Sequence, residues 1–105
     1  MGKKDVLEIL HRFHAALESG SVHVDRMVLF GSWSRGEGRP SSDIDVLVVS
    51  SDFVGKDHWA RCRLLGSAVY KVFAPIQAVA LTPDEWVSRN STICQFAEDG
   101  ELIMN

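Results

Sequence analysis

The chain has 105 residues, 46% of them hydrophobic and 24% charged, with a formal net charge of -3. That size predicts one domain over residues 1–105, with a single core and no second domain to hold an acceptor. The balance excludes a disordered chain, and the slight acidity argues against sequence-independent binding to a nucleic acid backbone.

Val6, Leu10, Phe13 and Leu17 recur at helical spacing and Ser19-Gly20-Ser21 stops the pattern, which predicts a first helix over about residues 4 to 18. From Val22 to Phe30 the pattern is extended. It ends in Met27-Val28-Leu29-Phe30, apolar on both faces as in a central strand. The stretch from Ser34 to Ser42 is rich in Gly, Ser, Arg and Pro, cannot hold a core and is the predicted active loop, with room for a helical turn just after Gly31. Asp45 to Val49 reads as a second strand.

Trp59, Cys62, Leu65, Val69, Val72 and Phe73 then predict a helix from about Asp57 to Phe73, with this stripe, Trp59 included, in the core. Ile76 to Leu81 reads as a third strand. In Thr82-Pro83-Asp84-Glu85, Thr can cap, Pro suits the first helical position and the acids suit a helix N-terminus, so a helix follows through Trp86, itself a core residue. A short helix over Thr92 to Ala97 and an edge strand over Glu101 to Met104 complete the order.

No run approaches the roughly 20 apolar residues of a membrane helix, and Met1-Gly2-Lys3-Lys4-Asp5 does not read as a signal peptide. The expectation is a cytoplasmic protein without membrane contact. Cys62 and Cys94 lack metal or disulfide spacing and read as small buried hydrophobes. His11 and His14 lie three apart with no third ligand, which favours a polar helix face over a metal site, and His23 and His58 have no visible partners. An exposed share of Leu64, Tyr70, Phe96 or Ile103 would offer a protein contact.

The chemistry concentrates at two points. Gly31-Ser32 closes the first strand, and ten residues further on Asp43-Ile44-Asp45 opens the second. Residues i and i+2 of a strand share a face, so the two carboxylates project together, roughly 6 to 7 Å apart at Cα, within reach of shared divalent cations. Nucleotidyl transfer needs that pairing: backbone donors and a hydroxyl at the triphosphate, and carboxylates holding metal ions at the reacting phosphorus. Trp33 is placed either to stack on a base or to pack beside the loop.

Gly31-Ser32-Trp33-Ser34-Arg35-Gly36, followed by Ser42-Asp43-Ile44-Asp45-Val46-Leu47-Val48, resembles the signature of the minimal nucleotidyltransferases, small members of the DNA polymerase β-like superfamily. The family pattern is G-S-x-A-R-G then S-D-I-D-L, with the same spacing; this chain has Ser34 in place of the Ala. The resemblance implies an α/β (α+β) fold with a small mixed sheet of three to four strands flanked by helices. It implies ATP or another nucleoside triphosphate as substrate, with Mg²⁺ (or Mn²⁺) held by Asp43 and Asp45. Gly31, Ser32 and Arg35 would bind the phosphates, with Arg39 assisting from the loop. It also implies a HEPN-type protein partner, or a homo-oligomer, and an antitoxin that modifies its partner.

One departure from the family bears on catalysis. A third carboxylate is expected on the third strand, five residues before Thr82, and Gln77 stands there. An amide can offer a metal its carbonyl oxygen but cannot act as a base. Asp84 and Glu85 read as capping residues rather than substitutes. Two functions therefore stand open: a nucleotidyltransferase, and a catalytically impaired nucleotide-binding or partner-binding module.

Overall fold

A computed structural model describes residues 2–39, 42–88, 92–97 and 100–104. Helix α1 (Lys3–Ser19) leads into strand β1 (Arg26–Phe30), and β2 (Ile44–Val49) follows the long loop. After a 3-10 turn come α2 (His58–Val72), β3 (Ile76–Leu81), α3 (Pro83–Ser88), α4 (Thr92–Ala97) and β4 (Glu101–Met104). The strands form one mixed sheet in the order β3-β2-β1-β4. β1 lies antiparallel to β2 and β4, whereas β3 runs parallel to β2 after the crossover through α2.

Strand alternation gives the sheet two apolar faces. Met27, Leu29, Ile44, Val46 and Val48 face Phe13, Leu10 and Leu17 of α1 and Leu65, Ala68 and Val72 of α2. Each such large side chain taken fully from water contributes about 1.5–3 kcal/mol. The other face, with Val28, Phe30, Leu47, Val49 and Leu81, packs on Trp86 of α3 and on Cys94 and Ala97 of α4.

Local signals account for the helix ends. The Asp5 carboxylate accepts from the Gly2 amide at 2.9 Å, and Asp57 caps α2 by accepting from the Ala60 amide at 2.9 Å. Thr82 and Glu85 form a reciprocal capping box for α3: the Glu85 amide donates to the Thr82 hydroxyl, and the Thr82 amide to the Glu85 carboxylate. The backbone bond and the Arg61 guanidinium hold Glu85 below the usual glutamate range. Glu85 is thus a capping residue, as its sequence context predicts.

The structure corrects several expectations. The first strand begins at Arg26 rather than Val22: Val22 and Val24 are buried, but they sit in the irregular approach to the strand. Trp59, Cys62 and Phe73 are exposed rather than core, because the helix turns Leu65, Ala68 and Val72 to the sheet instead. Cys94 is buried as expected. His23 has partners after all, with Glu18 at 3.6 Å and Asp25 at 3.7 Å, and His58 lies 3.4 Å from the Cys62 sulfur. His14 faces Glu18 at 3.4 Å. Among the described residues no group of three His, Cys, Asp or Glu could hold a metal ion. Tyr70 is exposed, while Leu64 and Ile103 pack partly against the core; the side chain of Phe96 lies outside the described residues. No described helix is long and apolar enough to cross a membrane.

Candidate active site

The register of the sheet brings the singled-out residues into one row. Asp45 pairs with Phe30 of β1, whose next residue is Gly31, and with Gln77 of β3 on its other side. Asp45 alternates with Ile44 and Val46, which enter the α1/α2 core, so its side chain belongs to the opposite face. There it stands beyond the end of the apolar row Leu47 and Val49. The sheet therefore carries the carboxylates at the rim where β1 ends and β2 begins.

Gly31 is required where it stands. Its φ of +76 is a left-handed conformation that side chains rarely adopt, and a Cβ there would run into the Asp45 carboxylate. The chain then winds through helical turns: the Arg35 amide donates to the Gly31 carbonyl at 3.3 Å and the Glu37 amide to the Ser32 carbonyl at 2.8 Å. Among the described residues the Ser32 hydroxyl has no hydrogen-bond partner.

Trp33 is packed, not poised for a base. It is buried in the α1/α2 core, and its indole N–H donates to the Ser42 carbonyl at 3.3 Å, pinning the loop to the start of β2. The Ser42 hydroxyl also accepts from the Arg39 amide at 3.0 Å. Pro40 and Ser41 of the predicted loop lie outside the described residues.

Electrostatics mark Asp45 out. Its carboxyl is pushed above the usual aspartate range, first by burial and then by the negative charge of Asp43, against the pull of the Arg35 guanidinium. No hydrogen bond reaches it from the described residues. Two carboxylates that repel one another, one of them desolvated and without donors, form a donor set that a hard divalent cation fits.

Arg35 is exposed and its Nε holds Glu37 at 2.7 Å, leaving its terminal amino groups free of partners among the described residues. Glu37 is the one site residue that the motif reading missed; the charge pair two positions apart was its signal. Gln77 does face the pair, and its amide nitrogen lies 3.4 Å from the Asp43 carboxylate as donor.

A family model described as a nucleotidyltransferase domain matches residues 8–88, most of the chain. The chain belongs to the nucleotidyltransferase-domain family. Solved structures agree on the fold of this nucleotidyltransferase domain. A candidate nucleotidyltransferase from Sulfolobus solfataricus superposes with a TM-score of 0.73 at 19% identity, over 95% of this chain and 80% of that one. A toxin-antitoxin complex with AMP-PNP gives 0.65 at 23% identity, over 90% and 72%. A mutant of the toxin-antitoxin pair MntA-HpeT gives 0.60 at 19% identity, over 100% and 74%. No curated protein matches the sequence significantly.

Proposed function

We propose that this nucleotidyltransferase domain transfers AMP from ATP, or the monophosphate of another nucleoside triphosphate, to a hydroxyl of a partner protein. The observation that carries the reading is the half-buried Asp45 carboxylate, which stands between Asp43 and the Gly31 turn with no hydrogen-bond donor among the described residues. Asp43 and Asp45 are the residues that would hold Mg²⁺ or Mn²⁺. When bound, such an ion neutralises triphosphate charge and stabilises departing pyrophosphate.

The chain's own groups supply the rest. Gly31, lacking a side chain, lets phosphate oxygens approach the backbone, and the Ser32 hydroxyl, without a partner among the described residues, donates to them. Arg35 offers its two unengaged amino groups as a fork for phosphate, while Glu37 fixes the guanidinium through Nε. The acceptor oxygen forms a bond to the α-phosphorus, the bond from that phosphorus to the bridging oxygen breaks, and pyrophosphate leaves. The acceptor proton passes to water, because the Gln77 amide cannot take it. Positioning and charge then account for most of the acceleration.

The toxin-antitoxin complexes among the similar structures support a protein partner in a toxin-antitoxin pair; on the proposed reading this chain is the antitoxin, the partner it modifies is HEPN-type and both act in the cytoplasm. The test is ATP labelled at the α-phosphate, incubated with Mg²⁺ or Mn²⁺ and a candidate partner. Label appears on the partner with the natural chain and not with Asp43→Ala/Asp45→Ala; label retained in that variant refutes the assignment.

A second reading, a module that binds nucleotide or partner without turnover, rests on Gln77. Its amide stands beside Asp43 where the family has a third carboxylate. Gln77→Glu separates the two: activity appearing only in the variant supports the module, and strong activity in the natural chain excludes it.

A further inference from the structure

The two helices on the covered face of the sheet carry a feature that neither the core nor the candidate active site uses. Near the end of α1 a groove of about 280 Å³ opens beside α2. Its apolar lining comes from Leu17 and Val22, in and just after α1, and from Leu64 and Ala68 of α2. Lys56, Arg63 and Lys71 line it too, and no described carboxylate does.

That lining stands out in a chain with 14 acidic residues against 11 Lys and Arg. The acids nearby in sequence are committed elsewhere. Glu18 accepts from the Val24 amide and faces His14 and His23. The Asp52 carboxylate accepts from the His23 amide, and that of Asp57 caps α2. The Lys56 ammonium donates to the Asp52 carbonyl at 2.6 Å. Arg63 and Lys71 are exposed and have no hydrogen bond or ion pair among the described residues.

The spacing of these cations decides what fits them. Arg63, Ser67 and Lys71 follow at intervals of four along α2, which sets them in line on one side of the helix and spreads the outer two over about 12 Å. A single small anion does not span that distance. Carboxylates four residues apart on another helix repeat at the same interval. A nucleic acid backbone would match the charge but would leave the apolar lining unused, whereas an amphipathic helix has a stripe for it.

We propose that this groove docks an acidic amphipathic helix of a protein partner, its apolar stripe seated on Leu17, Leu64 and Ala68 and its carboxylates paired with Arg63 and Lys71. Charge complementarity selects this occupant, since the row offers unpaired cations beside an apolar trough. The groove belongs to the α1/α2 layer, across the sheet from the Asp45 side chain, so docking is measured separately from nucleotidyl transfer.

Fluorescence anisotropy tests it on the purified full chain without nucleotide. The probe is a fluorescein-labelled helical peptide with leucines along one face and flanking glutamates four apart. The natural chain is expected to bind it with a micromolar dissociation constant that rises about tenfold or more in Arg63→Glu/Lys71→Glu. Lys4→Glu/Arg12→Glu, exposed on α1 and outside the groove, changes the net charge equally and should leave affinity within about twofold. Ser67→Glu, exposed between the two cations, provides a second disruption, and circular dichroism verifies that each variant keeps its helices. Serine in place of the peptide's leucines should also weaken binding. The inference is overturned if the natural chain does not bind, or if the groove and control variants lose affinity alike. Equal affinity for a lysine-for-glutamate peptide or for a single-stranded oligonucleotide of the same charge overturns it as well. So does self-association in sedimentation velocity that Arg63→Glu/Lys71→Glu abolishes, which would make a second copy the occupant.

Discussion

The two faces of the sheet are made from alternate residues of the same strands, yet they end differently. Ile44, Val46 and Val48 of β2 are covered by α1 and α2 along the whole strand. On the reverse side, Leu47 and Val49 lie under α3 and α4, but the cover stops before Asp45. Alternation thus lets one six-residue strand anchor a core and present a carboxylate. The closed face fixes where Asp43 and Asp45 stand, and the open end permits charge there.

The comparison is broken most severely from the closed side. Phe13→Ala removes a fully buried ring from the α1/α2 core and is expected to cost about 3–5 kcal/mol in urea unfolding. The fraction that remains folded should bind nucleotide with unchanged affinity, since Phe13 lies across the sheet from the carboxylates. Weaker binding per folded molecule would show that the two faces are not separable.

At the open end the order of effects reverses. Asp45→Asn is expected to lower label transfer about a thousandfold, equivalent to roughly 4 kcal/mol of barrier. It should also raise the melting temperature of the metal-free protein, because it removes a desolvated charge repelled by Asp43. A raised carboxylate pKa disfavours the folded state above that pKa and the penalty fades as pH falls through it, so the gain is confined to neutral and alkaline pH.

Gly31→Ala sharpens the contrast, since the new Cβ clashes with Asp45 and the positive φ penalises any side chain. A loss of about 1–3 kcal/mol in stability should accompany impaired transfer, measured on the same preparation. Loss of stability with full activity would detach the turn from the carboxylates.

The smallest effect lies under the covering helices. Glu85→Gln keeps an acceptor for the Thr82 amide but removes the charge that strengthens that bond and pairs with Arg61, and should cost less than about 1 kcal/mol at neutral pH. Glu85 is held below its ordinary pKa, so its contribution is present above the ordinary value and lost as pH falls through the lowered one. Thermal unfolding at acid pH should therefore show natural and variant chains alike.

Strand alternation makes the carboxylate pair and its opposite-face partners legible in the amino-acid sequence, and the Thr82 to Glu85 cap is legible from residue types alone. The face that α2 buries is not. Apolar residues lie on two sides of that helix, and a spacing of three and four fits Trp59, Cys62 and Phe73 as well as Leu65, Ala68 and Val72. Only the sheet beneath decides between them. The role of Trp33 is likewise decided by its place in the core and its bond to the Ser42 carbonyl, because stacking and packing ask for the same residue at the same turn. Glu37 takes its meaning from the guanidinium it holds, which is a matter of loop geometry rather than of motif.

The most direct test of the account is Mn²⁺ binding in the presence of ATP, followed by the electron paramagnetic resonance of the ion, in the natural chain and in Asp43→Asn/Asp45→Asn. The account predicts an ion bound tightly at neutral pH by the natural chain, lost in the variant, and weakened in the natural chain as acid protonates Asp45 from its raised pKa. Equal binding by both chains, independent of pH in that range, would contradict it.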